Sequence, residues 1–211
     1  MLTLTSVSHI ACTSDKVKIS SIITEVYEVH EGANNEYAKG RLKYMEIENF
    51  ENDRMINKTF YNGDNTVRGK EIFDYEGDSE LPSGSKYYNQ SGVTLSTYKF
   101  EYRDALKIKS EAFEGTSNNL LRIEGFQYDD SGHLTSKTIY NNLSQKQKSF
   151  AFTHDAAGNE VQMNVLDQDD NRLLTESYEI VSRTKDGEWV EKWGYLNDST
   201  TPVTFYQKRK G

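Results

Sequence analysis

The chain has 211 residues and a formal net charge of −8 at pH 7, with 33 acidic and 25 basic side chains; Lys and Arg are scattered along it, which excludes nucleic acid as an expected partner. Hydrophobic residues make up 35%, and no stretch approaches the roughly 18 apolar residues of a membrane helix, so no transmembrane segment is expected. Aromatics reach 12%, with 14 Tyr against 9 Phe and 2 Trp, a balance that suits a thin sheet wet on much of both faces and predicts a shallow core.

At the N-terminus, Cys12 is the only cysteine, so no intramolecular disulfide can form. Ile10-Ala11-Cys12 resembles the end of a bacterial lipoprotein leader, although no Lys or Arg precedes it and His9 interrupts the apolar stretch. Two readings stand: a lipid anchor at Cys12 left by a trimmed leader, or a frayed terminus with an incidental thiol. Residues 1–15 are read as leader remnant or disordered N-terminus, and 16–211 as one domain of β-hairpin repeats.

Hairpin grammar starts loosely, at Tyr27 to Tyr44 and at Glu46 to Tyr61, where Glu51-Asn52-Asp53 makes a turn without glycine. An aromatic phrase then returns as Phe73-Asp74-Tyr75, Phe100-Glu101-Tyr102, Phe126-Gln127-Tyr128, Phe152-Thr153-His154 and Tyr178-Glu179-Ile180, in steps of 27, 26, 26 and 26 residues. A fixed period of this length marks one supersecondary unit repeated. Turn signals follow at Tyr61-Asn62-Gly63-Asp64, Tyr88 to Gly92, Phe113 to Thr116, Asp129 to Gly132, Asn141 to Ser144, Asp155 to Gly158, Lys185 to Gly187 and Tyr195 to Asp198. Between turns, β-branched and aromatic residues recur at alternate positions, and no helical stripe competes. With only Pro82 and Pro202 to interrupt it, the chain reads as about six and a half antiparallel hairpins in sequence. The expected fold is all-β: a repetitive antiparallel β-hairpin meander forming one large twisted or curled sheet, because a sheet of so many strands twists, curls into a half-pipe or closes.

These units resemble the tyrosine-aspartate (YD, Rhs-type) repeats, in particular short secreted proteins of Bacteroidetes-like bacteria. Phe126-Gln127-Tyr128-Asp129-Asp130-Ser131-Gly132, followed by Tyr140-Asn141, matches best. Lys16 to Glu28 resembles the family's opening, and Asp186-Gly187-Glu188-Trp189-Val190-Glu191-Lys192 its closing Gly-Asn-Trp-x-x-Arg unit. The likeness runs from about Lys16 to Lys210. It departs at Tyr102, which is followed by Arg103-Asp104-Ala105 without glycine, and at Tyr75, followed by Glu76-Gly77. The resemblance implies an extracytoplasmic location (periplasm, outer surface or secreted) and carbohydrate or cell-surface contact.

Catalytic signals are sparse. His133 follows a turn glycine and His154 fills the slot of Tyr102 and Tyr128, which reads as packing. No His-x-His, His-Glu-x-x-His or Gly-x-Ser-x-Gly occurs. Asp167, Asp169, Asp170 and Asn171 put oxygen ligands in one turn but lack the glycine and distant glutamate of a calcium loop, and Asp and Asn suit turns for backbone reasons. No catalytic residue, metal site or cofactor is assigned, and the chain is read as a non-enzyme. Tyr87, Tyr88, Tyr98, Tyr102, Tyr128 and Tyr140 are the candidate binding face. They either stack on sugar rings or on a partner, or pair across strands to hold the sheet. Trp189 and Trp193, four apart, are expected on one strand face. The expected function is a non-enzymatic extracytoplasmic module binding glycan or a cell-surface protein. The alternatives are a structural protein assembling through unpaired strand edges, and an immunity-type protein-binding module.

Overall fold

The computed structural model describes residues 18–33 and 36–211; the expectations for His9, Cys12 and the N-terminal leader lie outside the described residues. Fourteen strands follow in order: β1 Ile19–Glu31, β2 Tyr37–Glu51, β3 Arg54–Asn62, β4 Val67–Asp74, β5 Gly84–Asn89, β6 Thr94–Arg103 and β7 Leu106–Glu114. The second half continues with β8 Leu120–Tyr128, β9 Leu134–Asn141, β10 Lys146–His154, β11 Glu160–Leu166, β12 Arg172–Arg183, β13 Trp189–Leu196 and β14 Thr204–Lys210. Each strand pairs antiparallel with its chain neighbours, and β14 pairs with β1 through Val26 opposite Tyr206. The meander expected from the sequence is present, but the sheet is not open or merely curled: it closes into a barrel. Closure leaves the described strands without a free edge, which removes the edge-templated route to self-assembly.

Closure has a local cause, repeated in register with the sequence. Near one end of the barrel, a single returning-strand residue is bulged out beside the hairpin turn: Ile56, Ile108, Thr135 and Val161, as the pairings slip at Phe50, Tyr102, Tyr128 and His154. Near the other end the bulged residues are Arg68, Leu95, Leu121, Gln147 and Leu173. A bulge bends its strand and increases right-handed twist, so a bend at each end of successive hairpins curls the sheet round on itself.

The turns are equally uniform. Asn89, Asp129, Asn141, Asp155 and Asp167 each accept, through Oδ1, the backbone N–H groups two and four residues on. The residue three on takes positive φ: Gly92 at 77°, Gly132 at 83°, Ser144 at 61°, Gly158 at 79° and Asp170 at 65°. Glycine suits this place because it lacks a Cβ. Where the phrase after Tyr102 lacks glycine, the turn shortens to two residues, Asp104 and Ala105, at φ 50° and 64°, the geometry of a type I′ hairpin.

Register divides the side chains between two faces. One face carries Val26, Tyr44, Glu46, Lys58, Phe60, Glu71, Phe73, Tyr98, Phe100, Glu124, Lys137, Glu176, Tyr178, Lys192 and Tyr206. This is the lumenal face: burial raises the Tyr44 phenol on β2, Glu46 adds to it, and so does Glu176 on β12, across the three intervening strands β13, β14 and β1. On it, large side chains close over small ones. Phe60 and Tyr87 meet edge to face at 5.8 Å above Gly69 of the strand between them. Arg122 reaches Tyr98 over Ala112, and Tyr178 meets Tyr206 over Gly194. The most buried residues are therefore small ones roofed by their neighbours, Ser85, Ala112, Ser110 and Val26 among them. The shallow core expected from the composition is this shell.

Candidate functional site: an aromatic mouth

The two ends of the barrel differ. At one end, here the mouth, the outgoing strands of the repeat finish, and each hairpin sets a ring at the lumenal rim: Phe50, Tyr75, Tyr102, Tyr128, His154 and Trp189. Tyr75, just past the end of β4, and Tyr102, Tyr128 and His154, on β6, β8 and β10, thus hold equivalent places, as the repeat predicts. The Tyr75 hydroxyl donates to the Met55 carbonyl and Tyr128 to the Lys107 carbonyl, both at 2.9 Å. Tyr102, between them, has no hydrogen-bond partner among the described residues, and burial beside those two phenols pushes its pKa up to about 12. His154 stacks on His133 at 5.3 Å, and His133 is itself held by Asp129 at 3.2 Å.

Surface clefts gather at the same end. One of about 880 Å³ lies between Asp53, Arg54, Tyr75 and Leu81. Another, about 710 Å³, runs beside Ser83, Lys99 and Tyr102, and one of about 440 Å³ lies against Leu106, Tyr128 and Asp129. Two more sit at the seam between β14 and β1, of about 400 and 430 Å³.

Inside the mouth, Lys192 is 7% exposed. Its Nζ lies 3.4 Å from the Tyr178 ring centre, 4.8 Å from Trp189 and 5.0 Å from Tyr206. Desolvation lowers its pKa to about 8, against the opposing pull of Glu160 and Glu176. Burial likewise raises Glu160, and pushes the Tyr178 and Tyr206 phenols far above their usual range. On the opposite wall, Lys58 bridges Glu46 at 2.6 Å and Glu48 at 3.3 Å, and Glu124 is shared by Arg122 and Lys137 at 2.9 Å each. The lumen thus mixes aromatic rings with paired charges, and the buried charges disfavour an apolar tail.

Of the six tyrosines expected as a binding face, Tyr87, Tyr98, Tyr102 and Tyr128 share the lumenal side, whereas Tyr88 and Tyr140 point outward. Tyr102 and Tyr128 stand at the rim of the mouth, and Tyr98 lines the cleft beside Tyr102. Tyr87 and Tyr98 contribute to the roofing over Gly69 and Ala112. The expectation that Trp189 and Trp193 share a face is corrected: slips in the β12–β13 pairing intervene, so Trp189 meets Lys192 and Lys208 while Trp193 packs on Phe205 at 4.6 Å. The Asp167 carboxylate is engaged by the N–H groups of Asp169 and Asn171 and by the Asn171 side chain.

The far end carries a feature the sequence reading missed. Val67, Val93, Leu95, Leu121, Leu143, Leu173 and Val203 are exposed there, Leu143 by 70% and Leu173 by 61%. Leu95, Leu121 and Leu173 are bulged residues, and the signal was available: Leu95 and Leu121 stand 26 apart, and Leu173 falls two periods later. The wall between the two ends is charged outward at Lys86, Lys99, Glu101 and Glu179. A lysine facing lipid at the bilayer midplane costs about 2–4 kcal/mol, so this wall does not suit a membrane span. No described helix is long and apolar enough to cross a membrane.

No family model matches the sequence, and no curated protein does. Among solved structures, a porin-like protein from Bacteroides uniformis is similar at 9% identity and TM-score 0.38, over 90% of this chain and 97% of that one. A porin-like protein from Bacteroides vulgatus gives 9% and 0.40, over 89% and 96%. A DUF3836 family protein from Bacteroides vulgatus gives 15% and 0.29, over 52% and 97%. Likeness at this level decides neither ancestry nor activity.

Proposed function

We propose that the chain is a non-enzymatic, extracytoplasmic binding module that takes a glycan at the aromatic mouth. The observation that carries this reading is the coincidence of rings and clefts: Tyr75, Tyr102, Tyr128 and Trp189 each line a cleft at that one end. Flat rings beside Asp, Glu, Ser and Thr side chains offer stacking to the apolar face of a sugar and hydrogen bonds to its hydroxyls. The lumenal carboxylates Glu46, Glu48 and Glu124 are tied to lysines or arginine, which leaves the rim rings and clefts as the surface open to a ligand. The resemblance of the hairpins to tyrosine-aspartate repeats supports the extracytoplasmic location.

The test is a glycan array probed with the intact chain and with Tyr102→Ala, whose hydroxyl holds no other group in place. Saccharide hits weakened by Tyr102→Ala are expected; an empty array, or hits indifferent to changes at Tyr102 and Trp189, would overturn the reading. The apolar far end favours a second reading, contact with a partner protein, in which the array stays empty and Leu95, Leu121 and Leu173 carry the affinity.

A further inference from the structure

The two seam clefts adjoin. The first is lined by Ile22, Thr184, Trp189 and Lys208 to Lys210, the second by Lys18, Ser20, Phe50, Asp53 and Lys210, so they meet at Ile22 and Lys210. Together they make a trough along the junction of β14 and β1 with a ring at each end, Trp189 and Phe50. Two aromatic platforms flanking a floor that carries Ile22 and Lys210 suit a ligand with more than one ring.

Three details define its chemistry. The Thr184 hydroxyl is buried with no hydrogen-bond partner among the described residues, an arrangement that leaves its desolvation uncompensated until a ligand arrives. Lys208 and Lys210 have no ion pair among the described residues, although Lys18 is bound to Asp53 at 2.8 Å and Arg209 to Glu25 at 3.1 Å. Lys208 Nζ stands 5.4 Å from the Trp189 ring centre, so a group stacked on that ring lies within reach of its ammonium. The carboxylates Asp186 and Glu188 stand at the loop edge of the trough, where they can accept from sugar hydroxyls. In a chain of net charge −8, free lysines beside an aromatic platform are the exception that attracts an anion.

Resting on the saccharide reading above, we propose that the trough selects an acidic saccharide: one sugar ring stacks on Trp189, its carboxylate or sulfate sits between Lys208 and Lys210, and a hydroxyl meets Thr184. The test is an array holding uronate-containing oligosaccharides, sulfated oligosaccharides and their neutral counterparts, followed by calorimetric titration of the strongest hit. Acidic hits of either kind are expected, the two sets showing which anion is preferred. Lys208→Gln with Lys210→Gln should weaken the titrated hit roughly tenfold or more, raised salt should weaken it further, and Trp189→Ala should abolish it. Hits confined to neutral sugars, or acidic hits indifferent to both lysines, overturn this assignment and leave the mouth reading standing. An array empty in all sets overturns both. Circular dichroism of the lysine pair variant keeps the outcome separate from misfolding, because both side chains are partly or fully exposed and neither holds an ion pair.

Discussion

The Tyr206 hydroxyl donates to Glu176 Oε1 at 2.6 Å, across the whole width of β13. The bond exists because Gly194 lies beneath it: a Cβ there would stand 2.3 Å from Thr204 Oγ1, 3.0 Å from the Tyr206 ring and 3.2 Å from Glu176 Oε1. Stability in this barrel comes from such spans over small residues, more than from a central apolar mass.

Gly194→Ala should therefore destabilise by about 1–3 kcal/mol, the usual cost of overpacking. Gly125→Ala is the control, since its nearest new contact is Tyr140 at 3.8 Å; it should be neutral or gain about 0.5 kcal/mol. Urea unfolding of both variants checks the contrast, and equal effects would argue against the roofing.

The turns give a pair of opposite sign. Gly132 holds φ 83°, so Gly132→Val should cost about 1 kcal/mol or more, whereas Ala105 at φ 64° is strained and Ala105→Gly should gain about 1 kcal/mol. Melting temperatures that fail to move in opposite directions would count against these turn conformations.

Lys192 gives the barrel a pH dependence. Its pKa in the fold is lowered to about 8, so the fold binds fewer protons than the unfolded chain between that pH and the ordinary lysine range. Its contribution is present at high pH and lost as pH falls through 8. Stability should rise from pH 8 to pH 10 by about 2 kcal/mol. Above pH 10 the trend should reverse, because Tyr178 and Tyr206 are raised and the unfolded chain then loses phenolic protons that the fold retains. Denaturant titrations across this range should show the rise in the native chain and not in Lys192→Met.

At the far end, replacing Leu95, Leu121 and Leu173 with Ser should leave stability within about 0.5 kcal/mol, as for surface changes generally. Hydrophobic dye binding and retention on a hydrophobic column should fall sharply, since these side chains are 47%, 44% and 61% exposed. Unchanged dye binding would mean that the far end is not the exposed apolar surface.

Much of this architecture was legible in the chain. The aromatic phrase of Tyr75, Tyr102, Tyr128 and His154 marked equivalent places on successive hairpins, and Asp129 with Gly132 announced the turn that four other hairpins share. Closure was not legible, because it depends on bulges at residues such as Ile108 and Leu121 that look like ordinary strand positions until the pairing is known. The same bulges move side chains between faces, which is why four-residue spacing misplaced Trp193 relative to Trp189. Tyr88 and Tyr140 were grouped with Tyr102 by residue type, yet alternation along the strand turns them outward. Lys192 could have been noticed from its three-residue spacing after Trp189, but its burial depends on Tyr178 and Tyr206, contributed by the two strands that flank β13.

Saccharide binding at this end of the barrel is best checked by amide chemical-shift mapping of the intact chain during titration with the strongest array hit. Saturable shifts are expected only at the mouth, at the hairpin turns beside Tyr75, Tyr102 and Tyr128 and along the Trp189 to Phe50 trough, with the far-end turns at Asn89, Asn141 and Asp167 unmoved. Shifts centred on those far-end turns, or on the outer wall around Lys99 and Glu179, would contradict it.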